Sequence, residues 1–213
     1  MANGAGDSIT PYFTIWTEPR ATIRRIVDSD PTRNVVALPA ISGAISALES
    51  QWSKALANNG NLSVLWPIWV AFSVAIWAAL SVLFLFMSAA VLRWSGSLLG
   101  GVASNVEVRA ALAWSQVVGI AGAIILLIAV LMGVSIPQAT PGSLPHLDPA
   151  FDKVMVVEGV LAIWGFVVSL KCIAEVHRFS AWRALLAALI PGIVVLVVVG
   201  GIVGIAAHLT GHH

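Results

Sequence analysis

The sequence is poor in charge: Asp, Glu, Lys and Arg make up 10% of its 213 residues, where a soluble domain averages about 25%. That scarcity excludes an ordinary soluble domain. A single cysteine, Cys172, excludes an intramolecular disulfide and any cysteine-built zinc or iron–sulfur site. Its apolar neighbours mark it as a small buried hydrophobe. Residues 1–34 lack an apolar run and carry Asp7, Glu18, Arg20, Arg24, Arg25, Asp28, Asp30 and Arg33. No cleavable signal peptide is therefore visible, and the first span is expected to act as its own targeting signal. Catalytic signatures are missing too, with no Gly-x-Ser-x-Gly, His-Glu-x-x-His or Gly-x-x-x-x-Gly-Lys-Ser/Thr and no carboxylate pair spaced for acid–base work. Gly100 and Gly101 form a turn signal too short to cradle a phosphate. Neither an enzymatic activity, a cofactor, a metal nor a nucleic-acid partner is expected.

What is abundant is apolar sequence: 59% of the residues are hydrophobic, and mean hydropathy is +0.94. A helix needs about 20 mostly apolar residues to cross a bilayer. Four segments meet that length: 65–92, 110–134, 154–176 and 184–209. Arg93, Trp94, Ser95 and Gly96 separate the first two, and the proline-rich run 137–149 reads as an exposed loop. A further span at 35–48 has only 14 uncharged residues and contains Pro39. Asp30 as N-cap with Pro31 at the first helical position would start its helix earlier. Trp52 would mark its exit at the aromatic belt. A re-entrant or interfacial segment is the alternative.

With five spans and the N-terminus inside, Arg20, Arg24, Arg25, Arg33, Arg93, Arg109, Lys171, Arg178 and Arg183 fall on the cytoplasmic side. Only Lys54 and Lys153 fall outside. Nine against two is a positive-inside distribution, and omitting the first span would put Arg20–Arg33 and Arg93–Arg109 on opposite faces. The expected fold class is all-α: a polytopic transmembrane bundle of five helices with a short N-terminal amphipathic interfacial helix. Its divisions are a cytoplasmic segment over 1–30, the five-span domain over 31–209 and a tail over 210–213.

The interfacial helix is read from 18–27, where Ile23, Ile26 and Val27 share one face opposite Arg20, Arg24 and Arg25, behind Tyr12, Phe13, Ile15 and Trp16. Its arginines suit anionic headgroups; equally, the segment suits a plug on the cytoplasmic ends of the spans. Helices in lipid pack through small residues. The expected contacts are Ala71, Ala75 and Ala79, Gly200 with Gly204, Gly43 with Ala47, and Gly119 with Gly122. Pro191 and Gly192 are expected to kink the last span.

Ionisable side chains inside spans are costly and are the default functional candidates. Glu158 lies one turn into the fourth span. Lys171 and Glu175 follow at i, i+4, with His177 and Arg178 close behind. Two readings stand: a proton or substrate path, or Glu158 reaching the outer headgroups with the other four forming an ordinary solvated cytoplasmic helix end. His208, His212 and His213 suit a metal less well than they suit a plain tail or a residual tag.

The run Trp16-Thr17-Glu18-Pro19-Arg20-Ala21-Thr22-Ile23-Arg24-Arg25-Ile26 resembles the N-terminal signature of the bacterial branch of the Yip family. Ala111-Leu112-Ala113-Trp114-Ser115 after Gly100 and Gly101, and the stretch from Ile163 and Trp164 to Ala184 and Pro191, are similar to that family as well. The resemblance covers about residues 12–205. It implies a cytoplasmic N-terminus and five spans, in the bacterial inner membrane, with the C-terminus outside. Eukaryotic members act in early secretory and Golgi traffic and bind Rab-type GTPases. This chain lacks their long N-terminal region and Asp-Leu-Tyr-Gly-Pro motif, so that activity does not carry over.

The leading expectation is therefore a non-enzymatic scaffold that contacts membrane lipids, further copies of itself or other membrane proteins. A small-solute, ion or proton transporter or channel using the fourth span is the second. Against it, no inverted repeat is visible and five spans cannot split equally. An intramembrane enzyme ranks third for want of a nucleophile–base pair.

Overall fold

A computed structural model describes residues 6–57, 63–134 and 149–210, and all regular structure among them is helical. Seven helices follow in order: α1 Gly6–Thr17, α2 Pro19–Ser29, α3 Ala37–Ala57, α4 Trp66–Leu98, α5 Asn105–Leu131, α6 Pro149–His177 and α7 Ala181–Thr210. Among the described residues, α4, α5 and α6 are long and apolar enough to cross a membrane, and Ala181–Val194 of α7 forms a shorter apolar helix. The expected loop at 137–149 lies outside the described residues except for Pro149, which opens α6.

Local chemistry sets the helix ends. Pro19 sits at the first position of α2, where a missing N–H costs nothing. Ser104 and Glu107 form a reciprocal capping box at the start of α5, with Ser104 N donating to Glu107 Oε2 at 2.7 Å. α4 does not break at Arg93–Gly96 as the sequence suggests. It runs to Leu98 and ends where Gly100 turns left-handed (φ 81°) and Gly101 N reaches back to the Gly96 carbonyl at 2.9 Å. The end of α6 repeats this motif with Arg178 at φ 57° and Phe179 N on the Ala174 carbonyl at 3.0 Å. A side chain in that conformation is strained. Arg178→Gly is expected to raise stability by about 0.5–1 kcal/mol, read by thermal unfolding in detergent; a fall would mean the arginine side chain holds the corner.

The expected helix start at Asp30 and Pro31 is not formed. Asp30 is instead the C-cap of α2, and its carboxylate accepts from Thr32 Oγ1 at 2.6 Å and Thr32 N at 2.9 Å. The Thr32 hydroxyl and then its amide hold that carboxyl below its usual range. The side chain thus builds a turn, and α3 begins only at Ala37. Pro39 then falls in the first turn of α3, where no intrahelical donor is needed.

Among the described residues, the larger of two apolar clusters joins Ile15 of α1 and Ile23 and Ile26 of α2 to Leu85 of α4, Trp114 of α5 and Cys172 of α6, and a smaller one gathers Ile173, Ala174 and Phe179 with Ala184 and Ala187 of α7. The N-terminal segment is therefore two helices, and α2 turns its apolar face onto the bundle. Small residues divide in the same test. An ideal Cβ on Gly43 would collide with the Trp77 carbonyl, its carbon at 2.8 Å, and Ala47 is buried. These two mark the α3–α4 contact, as expected. Ala71, Ala75 and Ala79, by contrast, point out of the bundle, as does Gly119, whereas Gly122 is buried against Glu158. The surroundings of Gly200 and Gly204 lie outside the described residues. α7 passes through Pro191 without ending.

Candidate functional site

α2 packs against α1, α5 and α6, and polar contacts link it to α6. Arg24 reaches across from α2 to α6: Nη2 donates to Glu175 Oε1 at 3.0 Å and to the Glu175 carbonyl at 2.9 Å, and Nε donates to Oε1 at 3.1 Å. The two side chains are 28% and 25% exposed. The helical spacing suggests a Lys171–Glu175 pair, but α2 lies over Glu175 and claims its carboxylate. The Lys171 ammonium instead stands 5.6 Å from the Trp164 ring centre. Arg24, expected at lipid headgroups, has a protein partner, whereas Arg20 and Arg25 are exposed. Beneath the clamp, the Cys172 thiol is buried against the Pro19 carbonyl at 3.9 Å.

His177, expected at a solvated helix end, is 1% exposed. Its ring stacks on Phe179 at 5.0 Å, nearly parallel, and fills a cradle made by two glycines. An ideal Cβ on Gly96 would stand 2.6 Å from Nε2, and one on Gly101 2.8 Å from Cγ. Only glycine leaves room for the ring, so the α4–α5 connection is keyed to the α6–α7 corner. Both ring nitrogens lack a hydrogen-bond partner. Arg178 is exposed.

Trp114 ties α5 to the α2–α3 turn. Its indole donates to the Arg33 carbonyl at 3.1 Å, and its ring lies 4.9 Å from that of Tyr12. The Tyr12 hydroxyl accepts from Asn34 Nδ2 at 2.6 Å. Asn34 is left-handed at φ 58°, a conformation asparagine tolerates.

Glu158 lies apart from this end. Its Oε2 would stand 2.8 Å from a Cβ on Gly122 of α5, and its carboxylate lies within the electrostatic field of Glu49 on α3. Each carboxylate has a buried oxygen without a hydrogen-bond partner. Sequence reasoning passed over Glu49 because it ends the first apolar run. That α3 continues for two turns beyond it, to Ala57, is the signal that places Glu49 inside the bundle. Among the described residues, no group of three or more His, Cys, Asp or Glu could hold a metal; His212 and His213, and the side chain of His208, lie outside them.

A family model described as the Yip1 domain matches residues 13–202. No curated protein and no solved structure matches the chain.

Proposed function

Because the chain belongs to the Yip1 domain family, we propose that it is a non-enzymatic membrane protein that binds lipids or other proteins through an ordered N-terminal platform. The observation that carries this reading is the docking of α2 on α6 by Arg24 and Glu175, which turns a short charged segment into a fixed surface. Phe13, 71% exposed, and the exposed Arg20 and Arg25 are then presented outward. The reading includes the bacterial branch and five spans in the inner membrane, N-terminus cytoplasmic and C-terminus outside. Supporting the fifth span, α3 has 21 residues, about 31 Å of helix, and packs on α4 at Gly43. A homo-oligomer fits the outward small stripe of Ala71, Ala75 and Ala79.

A transporter or channel is the second reading, favoured by Glu158 packed on Gly122 and lying within the electrostatic field of Glu49. One reconstitution separates the two. With a photocrosslinker at Phe13, the protein in native membranes is expected to give discrete lipid or protein adducts that Arg24→Glu abolishes. In liposomes it is expected to pass no ion, proton or small solute under any imposed gradient. Flux that Glu158→Gln removes would establish transport instead.

A further inference from the structure

Away from the N-terminal platform, α6 and α7 leave a groove of about 190 Å³ between them, open at the surface of the bundle. Val167, Leu170 and Lys171 line it from α6, and Ala181, Trp182 and Leu185 from α7. We infer that this groove holds one anionic phospholipid, its acyl chain against Leu170 and Leu185 and its phosphate on the Lys171 ammonium. The site needs only that α6 crosses a bilayer, so it stands apart from the platform reading above.

The occupant follows from what surrounds the groove and from its charge. Its volume is below the roughly 300–1,000 Å³ of pockets that enclose a small molecule, so it takes part of a ligand, and a length of acyl chain is such a part. α6 is long and apolar enough to cross a membrane, and the exposed Leu186 and Leu189 continue the apolar flank along α7. The material at hand to fill an apolar groove there is lipid. Charge then selects the headgroup. Lys171 enters no ion pair among the described residues, because Arg24 holds Glu175, the carboxylate one turn further on. Its contact with the Trp164 ring, at 5.6 Å, is long and leaves the ammonium free to turn toward a phosphate oxygen. An uncompensated ammonium at the end of a span is costly, and an anionic headgroup removes that cost. Trp182, 76% exposed, adds an indole N–H that makes no hydrogen bond among the described residues, placed as a belt residue is to meet an ester or phosphate oxygen. The walls are held in place before any lipid arrives. Phe179 N donates to the Ala174 carbonyl at 3.0 Å at the corner, and Ile173, Ala174, Ala184 and Ala187 pack α6 on α7. A groove fixed in this way loses little freedom on filling.

The test places the full-length protein in phosphatidylcholine nanodiscs doped with a phospholipid that carries a photoreactive diazirine in its acyl chain. The probe is made with either a phosphatidylglycerol or a phosphatidylcholine headgroup, and adducts are mapped by peptide mass spectrometry. The phosphatidylglycerol probe is expected to label residues 167–171 and 181–185 about tenfold more than the phosphatidylcholine probe, the size of one charge-assisted hydrogen bond. Lys171→Gln should remove that preference and Lys171→Arg should keep it. Lys153→Gln, the same loss of charge at the opposite end of α6, should leave it unchanged. Leu185→Trp, which fills the groove, should remove the adducts of both probes. Protection of Cys172 from maleimide shows in each variant that the bundle is intact, and the comparison of the two probes in wild type requires no variant at all. Equal labelling by both probes in wild type would overturn the site, as would a preference that survives Lys171→Gln or falls equally in Lys153→Gln. Protein–protein crosslinks through Trp182 in place of lipid adducts would overturn it too, and would assign the groove to a second copy of the chain.

Discussion

Charge reversal in Arg24→Glu should increase the rate at which Cys172 reacts with maleimide by about 30-fold. The Arg24–Glu175 pair is the strongest polar link between α2 and the bundle, and the thiol lies beneath Pro19. Exposed ion pairs contribute about 0.2–1 kcal/mol, and breaking a buried one costs about 3–5 kcal/mol. With side chains about a quarter exposed, reversal falls between these at about 2 kcal/mol, which sets the change in undocked population. Because the chain has one cysteine, the native protein carries its own reporter. The exchange Arg24→Glu with Glu175→Arg should restore protection, and Arg24→Ala should give an intermediate rate. Equal labelling of wild type and Arg24→Glu would show that packing of Ile23 and Ile26 alone holds α2.

Gly43→Leu should cost about 3 kcal/mol of bundle stability, and Gly43→Ala about 1–2 kcal/mol. The obstacles at Gly43 are the Ser81 hydroxyl and the Trp77 backbone carbonyl; the hydroxyl can rotate but the carbonyl cannot, so α3 and α4 must move apart. Unfolding in detergent titrated with sodium dodecyl sulfate measures the difference. Gly119→Leu and Ala75→Leu are the controls, since Gly119 has open space where its Cβ would stand and Ala75 faces outward; both should stay within about 0.5 kcal/mol. A Gly43→Leu protein as stable as these controls would contradict the close α3–α4 contact.

These two sites show what the sequence discloses and what it conceals. The long helices are legible because crossing a bilayer demands an uninterrupted apolar run, a property of neighbouring residues only. Cys172 is likewise recognisable as buried from its neighbours. The first helix start is not legible, because Asp30 suits both a helix N-cap and a turn, and the Thr32 hydroxyl two residues on decides for the turn. Small residues disclose that a helix surface is flat without saying what it meets. Gly43 meets Trp77 and Ser81, whereas Ala71, Ala75 and Ala79 are exposed among the described residues. For Glu175, helical spacing offers Lys171 as partner, but the partner found is 151 residues away in α2. Tertiary placement overrides local pairing there.

That separation of 151 residues between Arg24 and Glu175 also sets a timetable. At about 5–20 residues per second of synthesis, roughly 8–30 s pass between the appearance of α2 and that of its docking surface on α6. Throughout that interval Ile23 and Ile26 have no α6 to cover them, while Arg20, Arg24 and Arg25 line the opposite side. A nascent segment of that design adsorbs to an anionic bilayer surface. On that expectation the membrane-lying helix would describe the young chain and the clamped helix the finished one, the bilayer serving as a temporary chaperone until α6 arrives to replace it.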